Sequence, residues 1–294
     1  MSQRRACRAL SQPRSTQRYS VRRRNGEDRL GSRMRELALR HPRYGYRRVA
    51  ALLRREGWRV NDKRVHRLWR KGGLKVPKRQ LKRSRLIDGS SQNASHRRRA
   101  ERINHVWSFD FCHDRTADGR ALKVFSVIDE YTRRCLAIET ARRITGADVV
   151  RLLDALMALY GVPGHLRCDN GPEFACAAVR AWVGGAGVSA LYIAPGSPWE
   201  NAYAESYHAR LRDELLDREE FGSLTEARVL LEDWREQYNQ ERPHSALGYK
   251  TPAEFAAACG GAGAAAGASR AEPCSATLRR ARHDGEEHVE SVAR

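Results

Sequence analysis

The sequence predicts an α/β protein in which a small all-helical domain precedes a mixed sheet with helices on its faces. Three observations carry this expectation. Residues 106–112 alternate, with Trp107, Phe109 and Phe111 on one side and Ser108, Asp110 and Cys112 on the other, which is the period of a strand. The segments after them read as two more strands and then alternate helix with strand, the grammar of a mixed sheet. Upstream, residues 31–76 switch to the i, i+3, i+4 spacing of amphipathic helices.

Charge divides the chain at the same place. Residues 1–104 hold 33 Lys and Arg against 7 Asp and Glu, whereas residues 105–294 hold 22 against 28. So dense a positive block seeks polyanions, because each basic side chain docked on a phosphate releases a condensed counterion. Nucleic acid is therefore the first partner to consider. A solubilising surface would mix both signs. Hydrophobic residues at 41% suffice for a packed core, and no run reaches the roughly 18 apolar residues of a membrane span. Seven cysteines without a Cys-x-x-Cys pair argue against a disulfide framework or zinc ribbon, so the expected compartment is reducing cytosol. Arginine outnumbers lysine 48 to 7, which fits a GC-rich bacterial genome.

In chain order, residues 1–30 read as a basic arm around Arg22-Arg23-Arg24, with one short helix at Ala6–Leu10. Within 31–76, Val49, Leu52 and Leu53 mark one helix, and Val65, Leu68 and Trp69 a second. Asn61 is the expected N-cap of the second helix and Gly72-Gly73 its stop. The outward side chains of that helix would be Lys63, Arg64, Arg67, Arg70 and Lys71, the composition of a helix carried into a DNA groove. The pair reads as a helix-turn-helix. Residues 77–104, with Lys78-Arg79, Lys82-Arg83 and Arg97-Arg98-Arg99, form an expected basic linker.

The core is expected over 105–256. Strands at 106–112, 122–128 and 135–140 make a meander closed by a turn at Ala117-Asp118-Gly119-Arg120. A helix at 147–160, a strand at 165–168, a helix near 174–184, a strand at 188–193 and helices near 200–217 and 225–240 complete it. Residues 257–294, opening on a Gly/Ala run, are expected to be a disordered tail.

Three carboxylates stand out. Asp110 sits mid-strand in an apolar stretch, where a charge is costly unless paired or bound to a metal. Asp169 opens the turn Asp169-Asn170-Gly171, and Glu205 lies on a predicted helix with Asn201, His208 and Arg212 on its face. Taken singly, Asp169 reads as an Asx-turn residue and Glu205 as an ordinary helix glutamate. Those three neighbours of Glu205 are candidates for DNA contact or for a solvated helix face. Between Asp169 and Glu205 lie 35 residues, bounded by Asp169-Asn170-Gly171-Pro172-Glu173-Phe174 and Pro195-Gly196-Ser197-Pro198-Trp199-Glu200-Asn201.

With those peptides, and with His41-Pro42-Arg43-Tyr44-Gly45-Tyr46-Arg47-Arg48, Trp107-Ser108-Phe109-Asp110 and Tyr238-Asn239-Gln240-Glu241-Arg242-Pro243-His244, residues 31–256 closely resemble a known family. It is the DDE transposases of bacterial insertion sequences, in the second-frame (OrfB) type of family three, whose core is shared with retroviral integrases. The resemblance implies a ribonuclease H-like fold and a catalytic, metal-holding triad of Asp110, Asp169 and Glu205. It also implies two Mg²⁺ ions, with Mn²⁺ able to substitute, self-association at least as a dimer on DNA, and an upstream-frame (OrfA) partner or fusion. The chemistry is consistent: cutting a phosphodiester needs positive charge on both the attacking and the leaving oxygen, and hard oxygen ligands suit Mg²⁺. Two departures are visible. Tyr207-His208-Ala209 replaces the usual Phe-Asn-Gly beside the glutamate, and the helix-turn-helix stands where retroviral integrases carry a His/His/Cys/Cys zinc module. The rival expectations are a DNA-binding regulator without catalysis and a ribonuclease H-like nuclease without strand transfer.

Overall fold

A computed structural model describes residues 2–19, 26–77, 98–168, 177–192 and 201–260. The chain divides into two compact units, Met1–Arg79 and Gln80–Arg294.

The first unit begins with two short helices, α1 (Gln3–Ala9) and α2 (Arg14–Gln17), where the sequence suggested a largely unstructured arm with a single short helix. Three helices follow rather than the two expected: α3 (Glu27–Arg40), α4 (Tyr46–Arg55) and α5 (Asp62–Lys71). Helix α3 begins ahead of the expected boundary at residue 31. It buries Leu30, Met34 and Leu37, a stripe at i, i+4 and i+7. Its acidic first turn, Glu27 and Asp28, suits the positive end of the helix dipole. These residues pack with Val49, Ala50 and Leu53 of α4 and with Val65, Leu68 and Trp69 of α5 into one core. Asn61 caps α5 as expected, its Oδ1 accepting from the Arg64 N–H at 2.7 Å, and Gly72 closes the helix.

The second unit is a five-stranded sheet in the order β3-β2-β1-β4-β5. Strands β1 (Val106–Arg115), β2 (Ala121–Asp129) and β3 (Cys135–Ala141) form the antiparallel meander. Strands β4 (His165–Cys168) and β5 (Ser189–Tyr192) add in parallel on the other side of β1. The β1–β2 hairpin turns at Gly119, whose φ of +78° favours a residue without a side chain. This tight turn lets β1 run three residues beyond the expected Cys112 end.

Alternation along the strands feeds two cores. On one face Trp107, Phe109, Phe125 and Val127 meet helix α6 (Gly146–Tyr160) through Val149, Leu152, Leu153 and Leu156. Helix α6 starts on a capping box between Thr145 and Asp148. Helix α7 (Ala177–Gly185) packs on α6. On the other face Cys112, Leu122, Val124, Ile128 and Cys135 meet helices α8 (Ala202–Leu211) and α9 (Leu224–Gln240). Cys112 and Cys168 are buried free thiols, as expected for core residues.

Three further boundaries differ from expectation. Residues 98–104, assigned to the linker, dock on the sheet unit: the Asn104 N–H donates to Asp129 at 2.7 Å, and the Arg98 carbonyl accepts from Arg167 at 2.7 Å. The helix expected near 200–217 is α8 followed by a π-helical turn at Arg212–Leu216. Helix α10 (Pro252–Gly260) crosses the expected tail boundary at residue 257. Its start is capped by Thr251, whose hydroxyl accepts from the Glu254 N–H at 3.1 Å, and its alanines are strong helix formers. The bulk of the expected linker, residues 78–97, and the tail beyond Gly260 lie outside the described residues.

Candidate active site

Asp110 occupies the middle of β1, on the face that turns toward α8 and α9. Its direct antiparallel partner is Ser126 of β2. Glu205 lies in the first turn of α8, whose other stripe, Ala204, Tyr207 and Leu211, is sealed into the core. That packing aims the Glu205 face at the sheet. Burial pushes the Glu205 carboxyl up, the charge of Asp110 pushes it further, and His208 opposes both. Two carboxylates from elements far apart in sequence, Asp110 partly buried and Glu205 exposed, therefore lie near enough for their charges to interact. Like charges so close disfavour each other's ionisation unless a cation enters.

His208 completes the arrangement. Its Nδ1 stands 3.5 Å from Asp110 Oδ2, and its Nε2 is 2.7 Å from the Ser126 hydroxyl. The other Asp110 oxygen, Oδ1, accepts from the Phe111 N–H at 2.7 Å. Asp169 lies outside the described residues. It is the residue after Cys168, where β4 ends beside β1 with Ser108 paired to Arg167. Among the described residues no three His, Cys, Asp or Glu side chains come together as a metal cluster. The donors that do meet, two carboxylates, are of the hard oxygen type that Mg²⁺ prefers, so the residues present fit such an ion.

The remaining residues expected on the Glu205 face point inward. Asn201 is 3% exposed and the His208 side chain 11%, because α8 lies across β1 and β2 rather than standing off them. Arg212 reaches β1, donating to the His113 carbonyl at 3.0 Å and to Cys112 Sγ at 3.3 Å. It ties the start of the π-helical turn to the strand that carries Asp110. Burial raises the pKa of the Cys112 thiol, so it acts there as a neutral acceptor.

On α5, Lys63, Arg70 and Lys71 are exposed and Arg64 is half-buried. Arg67 is exposed but engaged, in an ion pair with Glu27 of α3. That contact lowers the pKa of the Glu27 carboxyl, chiefly through the hydrogen bond from Arg67.

Comparison with known proteins agrees with this geometry. The integrase core domain family matches residues 100–198, and a second integrase core domain family matches 186–252. An HTH-like domain matches 26–82, beginning with α3. The chain is 38% identical over 257 residues to an insertion element IS407 protein of Burkholderia multivorans, covering 87% of this chain and 91% of that one. It is 41% identical to an insertion element IS476 protein of Xanthomonas euvesicatoria, covering 87% and 73%. It is also 31% identical over 230 residues to the transposase InsD for insertion element IS2 of Escherichia coli, covering 73% of each.

The chain belongs to the insertion-sequence DDE transposases, family three, second-frame type. As a member of that family it is a polynucleotidyl transferase, and its sheet order is the ribonuclease H-like arrangement the resemblance implied. Among solved structures it is similar to a simian T-cell lymphotropic virus intasome (TM-score 0.47, 16% identity, 73% of this chain and 72% of that one). It is also similar to the HTLV-2 integrase catalytic core domain in complex with magnesium (TM-score 0.42, 18% identity, 53% and 99%). No helix among the described residues of this transposase is long and apolar enough to cross a membrane.

Ser126 is the site residue that reading the sequence missed. A signal existed: Asp110 and Ser126 lie eight residues either side of Asp118, which falls within the predicted hairpin turn, so folding there brings them close to register.

Proposed function

We propose that this transposase cleaves the ends of its insertion element and joins them to target DNA, with Asp110, Asp169 and Glu205 holding two divalent cations, Mg²⁺ or Mn²⁺. The observation that carries the proposal is the packing of α8 on β1, which sets Glu205 one helical turn from His208, itself 3.5 Å from Asp110, and near enough for the Asp110 charge to raise the Glu205 carboxyl. When bound, the cations supply positive charge to the attacking and leaving oxygens of the phosphodiester. The chain's own residues do the rest. Asp110 is held by a strand buried on both faces, whereas Glu205 rides on a helix that the π-helical turn and Arg212 anchor at its far end.

In the first step a water oxygen bonds to phosphorus, the bond from phosphorus to the 3′ oxygen breaks, and that oxygen leaves as a hydroxyl. In the second step this 3′-hydroxyl bonds to a target phosphorus and displaces the target's own 3′ oxygen. One diester replaces another, so no external energy source is needed. Helix α5 would carry Lys63, Arg70 and Lys71 to the phosphates of duplex DNA, with Arg64 and Arg67 in lesser roles. Cutting two ends implies at least two copies on DNA, and the family type implies an OrfA partner or fusion. The expected setting is the bacterial cytoplasm, at the nucleoid.

The test is Asp110→Asn, Asp169→Asn and Glu205→Gln, assayed for cleavage and strand transfer on labelled element ends in Mg²⁺. Each variant keeps the side-chain shape and removes a charge. All three should lose both activities while retaining the melting temperature and end binding. Near wild-type strand transfer by any one of them removes that residue from the triad, and cleavage without joining by the wild type identifies a nuclease instead.

A further inference from the structure

Of the polar groups around Asp110, His208 alone bridges both strands of the hairpin. It lies one helical turn past Glu205 on α8, yet its ring reaches Asp110 on β1 and Ser126 on β2. Ser126 is fully buried, so its hydroxyl proton requires an acceptor, and the ring nitrogen at 2.7 Å is one. When that hydroxyl donates to Nε2, the neutral ring must carry its proton on Nδ1, the nitrogen facing Asp110 Oδ2. The ring then stands between the two, Nε2 at 2.7 Å from the Ser126 hydroxyl and Nδ1 at 3.5 Å from Asp110 Oδ2. The second Asp110 oxygen is held by the Phe111 N–H, so both oxygens are oriented.

We propose that His208, with its tautomer set by Ser126, is a positioning residue that aims the Asp110 carboxylate at the metal site. This rests on the reading of Asp110 as a metal ligand. Partners of this kind fix a carboxylate's direction without touching the metal or the substrate. Asparagine can substitute at one atom only: its amide nitrogen lies near the place of Nδ1, whereas that of glutamine lies near the place of Nε2.

The experiment uses the full chain and two readouts that do not depend on turnover: binding of Mn²⁺ alone, followed by electron paramagnetic resonance, and melting temperature. Strand transfer is measured beside them, with kcat separated from KM for the DNA end. His208→Ala should weaken Mn²⁺ binding and lower kcat by about 10- to 100-fold, the range seen when such partners are removed, while KM for the DNA end stays within about 2-fold. Ser126→Ala should move the same quantities in the same direction. The double variant should be no worse than His208→Ala, since both residues act through one ring. His208→Asn should recover most of the loss and His208→Gln should not.

A rise in KM with unchanged Mn²⁺ binding would make His208 a DNA contact and overturn the proposal. So would a lower melting temperature with Mn²⁺ binding intact, which marks a purely structural role. Asp110→Asn is the control that separates the two levels. If it too binds Mn²⁺ normally, the metal-site reading has failed. If it loses Mn²⁺ while His208→Ala does not, only the positioning role has.

Discussion

The two units use opposite charges in opposite ways. In the helical unit the ion pairs lie at the surface: Arg33 with Glu36 and Glu56, Arg54 with Asp62, and Arg67 with Glu27. In the sheet unit two pairs are sealed inside. Arg167 holds Glu130 with both side chains at most 4% exposed, and Arg242 holds Glu214 at 3% and 8%. Exposed pairs contribute little to stability and exchange readily with water, so a surface laced with them can be handed to phosphate. Buried pairs cannot be exchanged, and they fix geometry. The same side chain, arginine, is paired in water in the one unit and, at Arg167 and Arg242, sealed from it in the other.

The largest effect should follow from breaking a buried pair. Arg242 grips Glu214 through Nε and Nη2, at 2.9 and 2.7 Å, and lies 3.1 Å from His244 Nε2. It therefore joins the segment after α9 to the π-helical turn behind α8, the helix of Glu205. Removing one partner leaves a buried charge, so Arg242→Ala should cost about 3–5 kcal/mol in urea unfolding. Replacing both, as Arg242→Met with Glu214→Leu, should recover most of that loss, because well-packed apolar side chains often replace a buried ion pair at little cost. A single variant as stable as wild type would show that the pair is not structural.

The sheet unit was also the more legible of the two. Alternation in 106–112 gave both faces of β1 correctly, and Trp234 and Tyr238 are buried against Tyr207 as their helical spacing required. Helix α3 is the helix that the sequence pattern leaves unmarked, because its apolar stripe, Leu30, Met34 and Leu37, is diluted among arginines and begins in what reads as an arm. Nothing in Arg212-Asp213-Glu214-Leu215-Leu216 announces a π-helical turn, since that conformation follows from Arg212 reaching back to β1. Residues 257–260 depart from expectation for a different reason: Ala-rich composition fits both a helix and a low-complexity tail, and the Thr251 cap decides between them. For the site, periodicity could offer each carboxylate only singly. Their grouping came from the family resemblance, and the approach of Glu205 to Asp110 is a product of tertiary packing that no local pattern encodes.

The next effect concerns binding. If the exposed side chains of α5 meet phosphates, Arg70→Ala and Lys71→Ala should each weaken binding to any duplex and reduce the slope of log affinity against log salt by about 0.9. Arg67→Ala should do less, because its guanidinium is already committed to Glu27. Melting temperature should not move for Arg70→Ala or Lys71→Ala. A loss confined to element-end sequences would instead make the affected side chain a reader of bases.

The smallest effect is the most direct test of the contrast between the units. Arg33 spans from α3 to Glu56, just past the end of α4, with hydrogen bonds of 2.8 and 2.7 Å, and also meets Glu36 at 2.6 Å. On paper this is a better connected arginine than many buried ones. Its side chain is nevertheless 37% exposed and that of Glu56 30%, so water can replace most of what the pair supplies and salt can screen the rest. A double-mutant cycle of Arg33→Ala with Glu56→Ala should therefore give a coupling of about 0.2–1 kcal/mol that shrinks as salt rises. A coupling of several kcal/mol, insensitive to salt, would mean that burial is not what separates the two units. The division between an exchangeable binding surface and a locked catalytic frame would then have to rest on something other than solvent.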